Sequence, residues 1–278
     1  MSLAERVRAT ALSPRERRVA DLILSDPSAV AFGTVASVAT AADVGNSTVM
    51  RFANATGFDG FSDLQQAVRN ELDSRLRQAT HRVRQPQRGD PIDRSLDAEI
   101  ANVTDTFARL DRVGLAAAAA RIARCARVGV VAGDTARGVA QDFATQLGMV
   151  RPHVELVDTG SIALTRSLTW FDRADMLVAI DTARYEHTVT LACERAADRG
   201  VPVFAISDSH LSPIAAVATW SFQVLDHGAG PFDSFVGALA LTNLLVTLVT
   251  KEVGRPAVRH IDRLEAEWNA ARILRAED

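Results

Sequence analysis

Four polar side chains close to residue 50 have the types and the spacing needed to contact base edges in nucleic acid. They are Asn46, Ser47, Thr48 and Arg51, at the start of a segment with a helical pattern. Asparagine can form two hydrogen bonds with adenine, arginine can form two with guanine, and serine or threonine can serve either base. We expect these four side chains to be exposed and to bind DNA. The alternative is that Ser47 only caps the helix and that Arg51 is a solvated charge.

Two short helices joined by a tight turn are predicted to hold these side chains. The pattern indicates a helix over residues 35–42, a break over residues 43–45 and a second helix over residues 47–56. Ala39 is small enough to let the helices approach, and Val49 is predicted to fill the core between them. Such a pair is typical of a helix-turn-helix, whose second helix enters the major groove of DNA.

Further helices on either side are predicted to complete a small all-α domain. Ser13 and Pro14 are suited to an N-cap and a first helical residue, and Glu16 supports that start. The helix that follows is predicted to stop at Pro27. Downstream, an amphipathic run over residues 58–76 predicts another helix.

From residue 127 onward, short apolar runs alternate with helical stretches. This alternation predicts an α/β domain with a parallel sheet and helices on both faces. The predicted strands are Val128–Ala132, Val154–Val157, Met176–Ile180, Val201–Ile206 and Trp220–Val224. The predicted helices between them are Val139–Val150, Ser161–Thr169, Thr188–Arg199 and Pro213–Ala218.

A polar segment divides the chain into two domains. Residues 78–95 contain two prolines, a glycine and few apolar side chains, which favours a linker. The sequence therefore predicts a helix-turn-helix DNA-binding domain over residues 1–77 and an α/β domain over residues 96–278. Residues 1–88 carry 12 arginines and 9 acidic residues, whereas the rest of the chain is acidic overall. A basic front on an acidic body suits a nucleic-acid-binding domain.

Composition and motifs argue against several other classes of protein. The two cysteines lie far apart, which predicts a reduced, cytoplasmic protein. Metal-ligand spacing, a nucleophile elbow and a dinucleotide fingerprint are all missing, so we expect no metal, no cofactor and no enzyme. The apolar run over residues 235–250 is shorter than the roughly 20 residues of a membrane span. We expect it to form a buried core helix.

Three motifs of the front domain occur together. They are Asp26-Pro27 at the end of the leading helix, Ser47-Thr48-Val49-Met50-Arg51-Phe52, and Gly57-Phe58-Asp59-Gly60-Phe61 followed by Leu64. With these motifs, residues 12–72 resemble the N-terminal domain of MurR/RpiR transcription regulators. Asp43 stands where a turn glycine is usual in that family, and Gly45 stands where a capping serine is usual. Both residues tolerate turn geometry, so we expect the fold to be retained.

Two segments of the rear domain carry a second resemblance. Residues 206–215 match a late strand, loop and helix of the sugar isomerase (SIS) domain, and residues 138–147 match its first sheet-facing helix. The similarity covers about residues 98–257. It implies a five-stranded parallel sheet of flavodoxin-like type. It also implies a small-molecule effector bound at the carboxyl ends of the strands.

The resemblance places the effector on two loops, and both depart from the family. The family's Gly-x-Gly-x-Ser loop corresponds here to Ala132-Gly133-Asp134-Thr135-Ala136. Its Ser-x-Ser-Gly-x-Thr phosphate loop corresponds to Asp-Thr-Ala-Arg-Tyr-Glu at residues 181–186. The carboxylates of Asp134 and Asp181 would repel a phosphate, so we expect a polyol, an uncharged sugar or an amine-bearing metabolite instead. The expected effector-binding residues are Gly133, Asp134, Thr135, Arg137, Asp181, Thr182, Arg184 and Ser207.

These interpretations together predict a DNA-binding transcription regulator that responds to a small carbohydrate-like metabolite. A homodimer or homotetramer on a palindromic operator is expected, since symmetric heads contact symmetric half-sites. One alternative is an SIS-type sugar-phosphate isomerase or lyase, but such enzymes generally lack the front domain. Another is a DNA-bound dimer whose altered pocket binds nothing.

Overall fold

The front of the chain folds into a small group of helices. The computed structural model describes residues 6, 10, 12–25, 27–76, 89–182, 185–210 and 212–272. The front helices are α1 (Pro14–Ser25), α2 (Pro27–Phe32), α3 (Val35–Ala41), α4 (Asn46–Ala55) and α5 (Phe61–Leu76). The predicted start of α1 is confirmed, because the Glu16 carboxylate accepts hydrogen bonds from the Ser13 backbone N–H at 2.9 Å and from its hydroxyl at 2.6 Å.

Helix α2 is a feature that the sequence interpretation missed. Proline was taken only as a stop signal, and α1 does end at Ser25, before Pro27. Pro27 then occupies the first position of a new helix, where its missing N–H costs no hydrogen bond. Val30 and Ala31 of this helix are fully buried in the front core.

The predicted helix-turn-helix is present as α3 and α4. A capping box formed by Thr34 and Ser37 fixes the start of α3. In the turn, Asp43 adopts a left-handed φ of 50°, where the family usually has glycine. Ala39 and Val49 are buried in the core shared by these helices, as the spacing predicted. The departures at residues 43 and 45 therefore leave the motif intact.

The rear of the described chain is an α/β fold. Its helices are α6 (Pro91–Ala108), α7 (Arg112–Arg124), α8 (Arg137–Val150), α9 (Ser161–Thr169), α10 (His187–Asp198), α11 (Pro213–Ala216), α12 (Val236–Val253) and α13 (Arg255–Ala270). Its strands are β1 (Val128–Ala132), β2 (Val154–Leu156), β3 (Met176–Ile180), β4 (Val203–Ser207) and β5 (Trp220–Gln223). The parallel strands are ordered β2-β1-β3-β4-β5, which confirms the predicted flavodoxin-like sheet.

Two apolar clusters cover the two faces of this sheet. One contains buried side chains of α7, α8 and α12, and the other contains those of α9, α10 and α11. Strand β3 contributes alternately to both, with Val178 in the first cluster and Ala179 in the second. Burial on both faces explains why β1, β3 and β4 are apolar along their length.

Helix α12 is long and apolar enough, by length and composition alone, to cross a membrane. In the structure it packs as a core helix, since Leu241, Leu245 and Val249 have no exposed surface. The buried core helix expected from the sequence is thus found here. Helix α6 begins at Pro91, inside the segment that was predicted to be a linker (residues 78–95), because Asp90 caps it by accepting a hydrogen bond from the Ile92 N–H at 2.7 Å.

Candidate functional sites

The first candidate site is the exposed face at the start of α4. Asn46, Ser47 and Arg51 are exposed there, as predicted. Gly45 is the N-cap and Ser47 lies inside the helix, so Ser47 does not serve as the cap. Three polar side chains are therefore presented together at the end of the helix that would enter a major groove.

Thr48 differs from the expectation of an exposed side chain. It retains only 3% exposure, because at this position α4 turns inward toward the helices of the front core. Its hydroxyl lies 3.4 Å from the Arg51 Nη2 donor, a long hydrogen bond. Thr48 thus lies beside the Arg51 guanidinium, and its burial leaves its hydroxyl little exposed surface.

Two further residues of this face were missed at the sequence level. Met50 is 40% exposed, and Asn54 is exposed one turn after Met50. Met50 belongs to an apolar pattern that favours a core position, but the face of α4 turned to the core is filled by Val49 and Phe52. An exposed methionine can contact the methyl group of thymine, and asparagine can pair with adenine.

The second candidate site lies where β1 and β3 end. These neighbouring strands run parallel. After β1 the chain crosses to β2 on one side of the pair, and after β3 it crosses to β4 on the other side. Ligands usually bind at the point between two such strands in folds of this type. The backbone N–H of Gly133 donates to the Ile180 carbonyl at 3.2 Å, which brings the two loops together. A Cβ atom on Gly133 would lie 2.6 Å from Asp181 Oδ1, so a larger residue at this position would force the buried Asp181 side chain to shift.

Asp181 and Glu186 form the centre of this site. The Asp181 carboxylate, 1% exposed, accepts a hydrogen bond from the Glu186 backbone N–H at 2.8 Å. The Glu186 carboxylate in turn accepts a hydrogen bond from the backbone N–H of Asp134, in the loop after β1. The carboxylate of Glu186 thus occupies an N–H group that a bound anion would otherwise contact.

This arrangement corrects the predicted pair of carboxylates. Asp134 was expected to place its side chain beside Asp181, but that side chain is exposed and Asp134 contributes its backbone N–H. Glu186, which was not predicted as a site residue, supplies the second carboxylate. The reason is local, because Glu186 is the N-cap of α10 and its carboxylate lies over Gly133.

The other predicted effector residues have different environments. Thr135 and Arg137 are exposed, and Arg184 lies outside the described residues. The Ser207 hydroxyl is fully buried and donates to the Asp181 carbonyl at 2.6 Å, so it holds β3 and β4 together. The Thr182 hydroxyl is also buried, and within the described part of the chain it has no hydrogen-bond partner.

Burial sets the charge state of the site. It raises the pKa of the Asp181 carboxyl to about 7, and the nearby carboxylates of Glu186 and Asp208 raise it further, against the lowering effect of the Glu186 N–H. Asp208 is held in place by the Tyr185 hydroxyl, which donates to its Oδ1 at 2.8 Å. The site therefore carries less negative charge near neutral pH than its three carboxyl groups suggest.

An open groove of about 550 Å³ lies beside this site, between α8 and α12. Thr135 connects it to the loop after β1. Its lining includes the apolar side chains of Val139 and Leu239 and the carboxylate of Asp142. The groove has the size of a small-molecule site.

Comparison with known proteins supports both domains. Residues 1–75 match the family model of the helix-turn-helix domain of the rpiR family, and residues 121–248 match the SIS domain model. The fold and the two matches together define a helix-turn-helix protein with an SIS domain. Residues 1–75 thus carry a helix-turn-helix domain of the rpiR family and residues 121–248 an SIS domain, as the sequence motifs predicted.

Two kinds of relative match this chain, one over a short segment and one over most of its length. The chain is 44% identical over 55 residues to the bifunctional protein glk of Burkholderia mallei, which is 20% of this chain and only 9% of that protein. It is 21% identical over 254 residues to an uncharacterized HTH-type transcriptional regulator of Clostridium perfringens, covering 87% of this chain and 89% of that one. The second match spans both domains.

Solved structures confirm the fold. The sugar isomerase domain of an RpiR transcription factor from Sphaerobacter thermophilus is 26% identical and superposes with a TM-score of 0.61, covering 63% of this chain and 98% of that one. The NanR protein of Vibrio vulnificus, solved in complex with ManNAc-6P, is 22% identical with a TM-score of 0.60, covering 94% of each chain.

Proposed function

We propose that this protein is a transcription regulator that binds double-stranded DNA through α4. The observation that carries the proposal is the exposed cluster of Asn46, Ser47 and Arg51 on the second helix of an rpiR-type helix-turn-helix. Arginine and asparagine in that position discriminate bases through paired hydrogen bonds. The domain division that we propose is a DNA-binding domain over residues 1–77, a linker over residues 78–95, whose last five residues form the start of α6, and a sensing domain over residues 96–278.

The test is binding of the purified protein to the DNA upstream of its own coding sequence. Scrambled DNA of equal length, at the same controlled salt concentration, is the comparison. A preference of about a thousandfold or more supports the proposal. Arg51→Ala should weaken specific binding by about 1–3 kcal/mol. Arg17→Ala removes the same charge from an exposed position of α1 and should leave the preference unchanged.

For the rear domain we propose an effector that is not a simple sugar phosphate. The loop N–H that faces the site is already occupied by the Glu186 carboxylate, and Asp181 lies directly beneath it. Two carboxyl groups and a buried hydroxyl, that of Thr182, favour hydrogen-bond donors over a dianion. A polyol, an uncharged sugar or an amine-bearing metabolite meets this requirement.

A sugar-phosphate effector is the second candidate, because NanR of Vibrio vulnificus was solved in complex with ManNAc-6P and shares this fold. Calorimetric titration with N-acetylmannosamine and with its 6-phosphate separates the two ideas. Micromolar binding of the phosphate alone contradicts an uncharged effector, and binding of the free sugar alone supports it. Binding of neither directs the search to amine-bearing ligands, tested by thermal shift.

We further propose that the protein is a cytoplasmic homodimer or homotetramer without enzymatic activity. A two-fold assembly places two α4 helices on a palindromic operator, with half-sites separated by a whole number of helical turns. Effector binding would change the relative placement of the heads, a coupling typically worth about 1–3 kcal/mol. An assay for isomerisation of hexose and pentose phosphates tests the absence of activity, and turnover would contradict it.

A further inference from the structure

Helix α6 exposes the side chains that an ordinary surface helix would bury. Ile92 is 77% exposed, Leu96 58%, Ile100 56% and Phe107 36%. At 100° per residue these side chains, with Val103, fall within an arc of about 80° on the helix surface. A contiguous apolar stripe of this length on a soluble protein marks an interaction surface.

The side of α6 that packs on its own domain is polar. Asn102 accepts a hydrogen bond from the His227 backbone N–H at 3.1 Å and donates to the His227 carbonyl at 2.9 Å. Thr106 accepts from the Leu225 N–H at 2.9 Å, and both side chains are buried. Polar contacts to the segment after β5 therefore fix the helix and leave its apolar stripe turned to solvent.

The order of side chains along the stripe matches that of a helix pair. Leu96, Ile100, Val103 and Phe107 are separated by four, three and four residues, which is the spacing of a helix–helix seam. The stripe is also nearly symmetric about Ile100, with Leu96 four residues before it and Val103 three residues after it. A symmetric stripe is what a two-fold interface needs, because the same surface must face itself.

We propose that α6 pairs antiparallel with α6 of a second copy of this chain, about a two-fold axis close to Ile100. Leu96 then lies beside Val103 of the second copy, and Ile92 lies beside Phe107. This proposal names the face of the homo-oligomer suggested above and rests on that part of the proposed function. It requires nothing of the DNA or effector sites.

Charges beside the stripe are compatible with this pairing. Asp97 and Asp93, on one flank, would lie next to Thr104 and Ala108 of the second copy, so neither carboxylate faces another. Glu99, on the other flank, is turned toward its own domain, where the Ser234 hydroxyl donates to it at 2.5 Å.

Two single substitutions test the proposal by light scattering on the full-length chain. Ile100→Asp is expected to reduce the molar mass of the wild-type assembly by half. Ile162→Asp is the matched control, since Ile162 is 86% exposed on α9, against the opposite face of the sheet, and its mass should stay wild-type. Both variants should keep the wild-type far-ultraviolet circular dichroism, because each changed side chain lies in solvent in a single chain.

Cross-linking gives an independent measurement. Ile100→Cys should form a disulfide-linked dimer rapidly under mild oxidation, because a two-fold axis at this residue brings the two Cα atoms within reach. Ile162→Cys should form it only slowly, and the native Cys125 and Cys193 are buried. An unchanged mass for Ile100→Asp, or equal cross-linking of the two cysteine variants, would overturn the α6 pairing alone. A monomeric wild-type protein would overturn the proposed homo-oligomer as well.

Discussion

Replacing Asp181 by asparagine should stabilise the rear domain at pH 8 and leave it much less affected at pH 5. The reason is that burial raises the pKa of Asp181 in the native chain to about 7, whereas an unfolded aspartate titrates close to 4. At pH 8 the native state must hold a buried negative charge that the unfolded chain exposes to water. Asparagine has nearly the same shape and can still accept the hydrogen bond from the Glu186 N–H.

The size of the effect follows from linkage. A group whose native pKa is raised binds its proton more tightly when folded, so the free energy of unfolding falls as pH rises between the two pKa values. Each unit of pKa difference corresponds to about 1.4 kcal/mol, so about three units give about 4 kcal/mol in full. Between pH 5 and pH 8, wild-type stability should therefore fall by about 3 kcal/mol more than that of Asp181→Asn.

Urea unfolding followed by tryptophan fluorescence measures this difference in the relevant domain. Trp170, Trp220 and Trp268 all lie in the rear half of the chain, so the front helices do not contribute to the signal. Asp134→Asn is the matched control, because it removes an exposed carboxylate from the same site and should leave the wild-type pH profile unchanged. Parallel profiles for wild type and Asp181→Asn would refute the idea that Asp181 is a buried carboxyl protonated below neutral pH.

Three further changes test other parts of the rear domain. Glu186→Gln removes a negative charge that lies against the backbone N–H of Asp134, so binding of inorganic phosphate, measured by calorimetry, should tighten about tenfold. Unchanged binding would contradict the idea that the Glu186 carboxylate keeps anions out of this site. Gly133→Ala should destabilise the domain by about 1–3 kcal/mol in urea, because its methyl group would overlap the Asp181 carboxylate. Asp175→Asn breaks the ion pair with Arg127 (2.6 Å) and should cost about 1–3 kcal/mol at pH 7. Burial raises the pKa of Asp175, but the hydrogen bonds from Arg127 outweigh burial and hold the pKa below its usual value. The loss of stability caused by Asp175→Asn should therefore shrink as pH falls below about 4. A loss that stays constant with pH would contradict this assignment.

The regular elements were predictable because each pattern has a direct physical cause. Strands β1 and β3 were predicted with their observed limits, since strands buried on both faces are uniformly apolar and bounded by turn residues. Ser13 and Glu16 predicted the start of the first helix because a capping box depends only on residues three apart in the sequence. Helix α2 was missed because Pro27 can end one helix and begin another, and residue type alone does not decide between them.

The sites were less predictable, because side-chain direction depends on tertiary packing. Thr48 has the right chemistry for DNA, yet its position on α4 turns it into the front core. The second carboxylate of the effector site comes from Glu186 and not from Asp134 for the same reason. The loop after β1 presents a backbone N–H where the sequence suggested a carboxylate, and the carboxylate comes from the cap of another helix. Exposure along α6 shows the same limit, since an amphipathic pattern does not say which face meets the domain.

The described residues form three buried clusters, one in the front helices and two against the sheet, and this division has a consequence for how the protein melts. Strands β1, β3 and β4 contribute side chains to both sheet clusters and so join them, whereas among the described residues the front cluster contains side chains of the front helices and their connecting turns alone. The front cluster and the joined sheet clusters can therefore each lose their structure as a separate cooperative unit, and calorimetry should resolve two heat-absorption peaks instead of one. A compound that binds only the folded rear domain would move one peak and leave the other in place. Thermal scanning can thus report which half of the molecule a candidate ligand contacts.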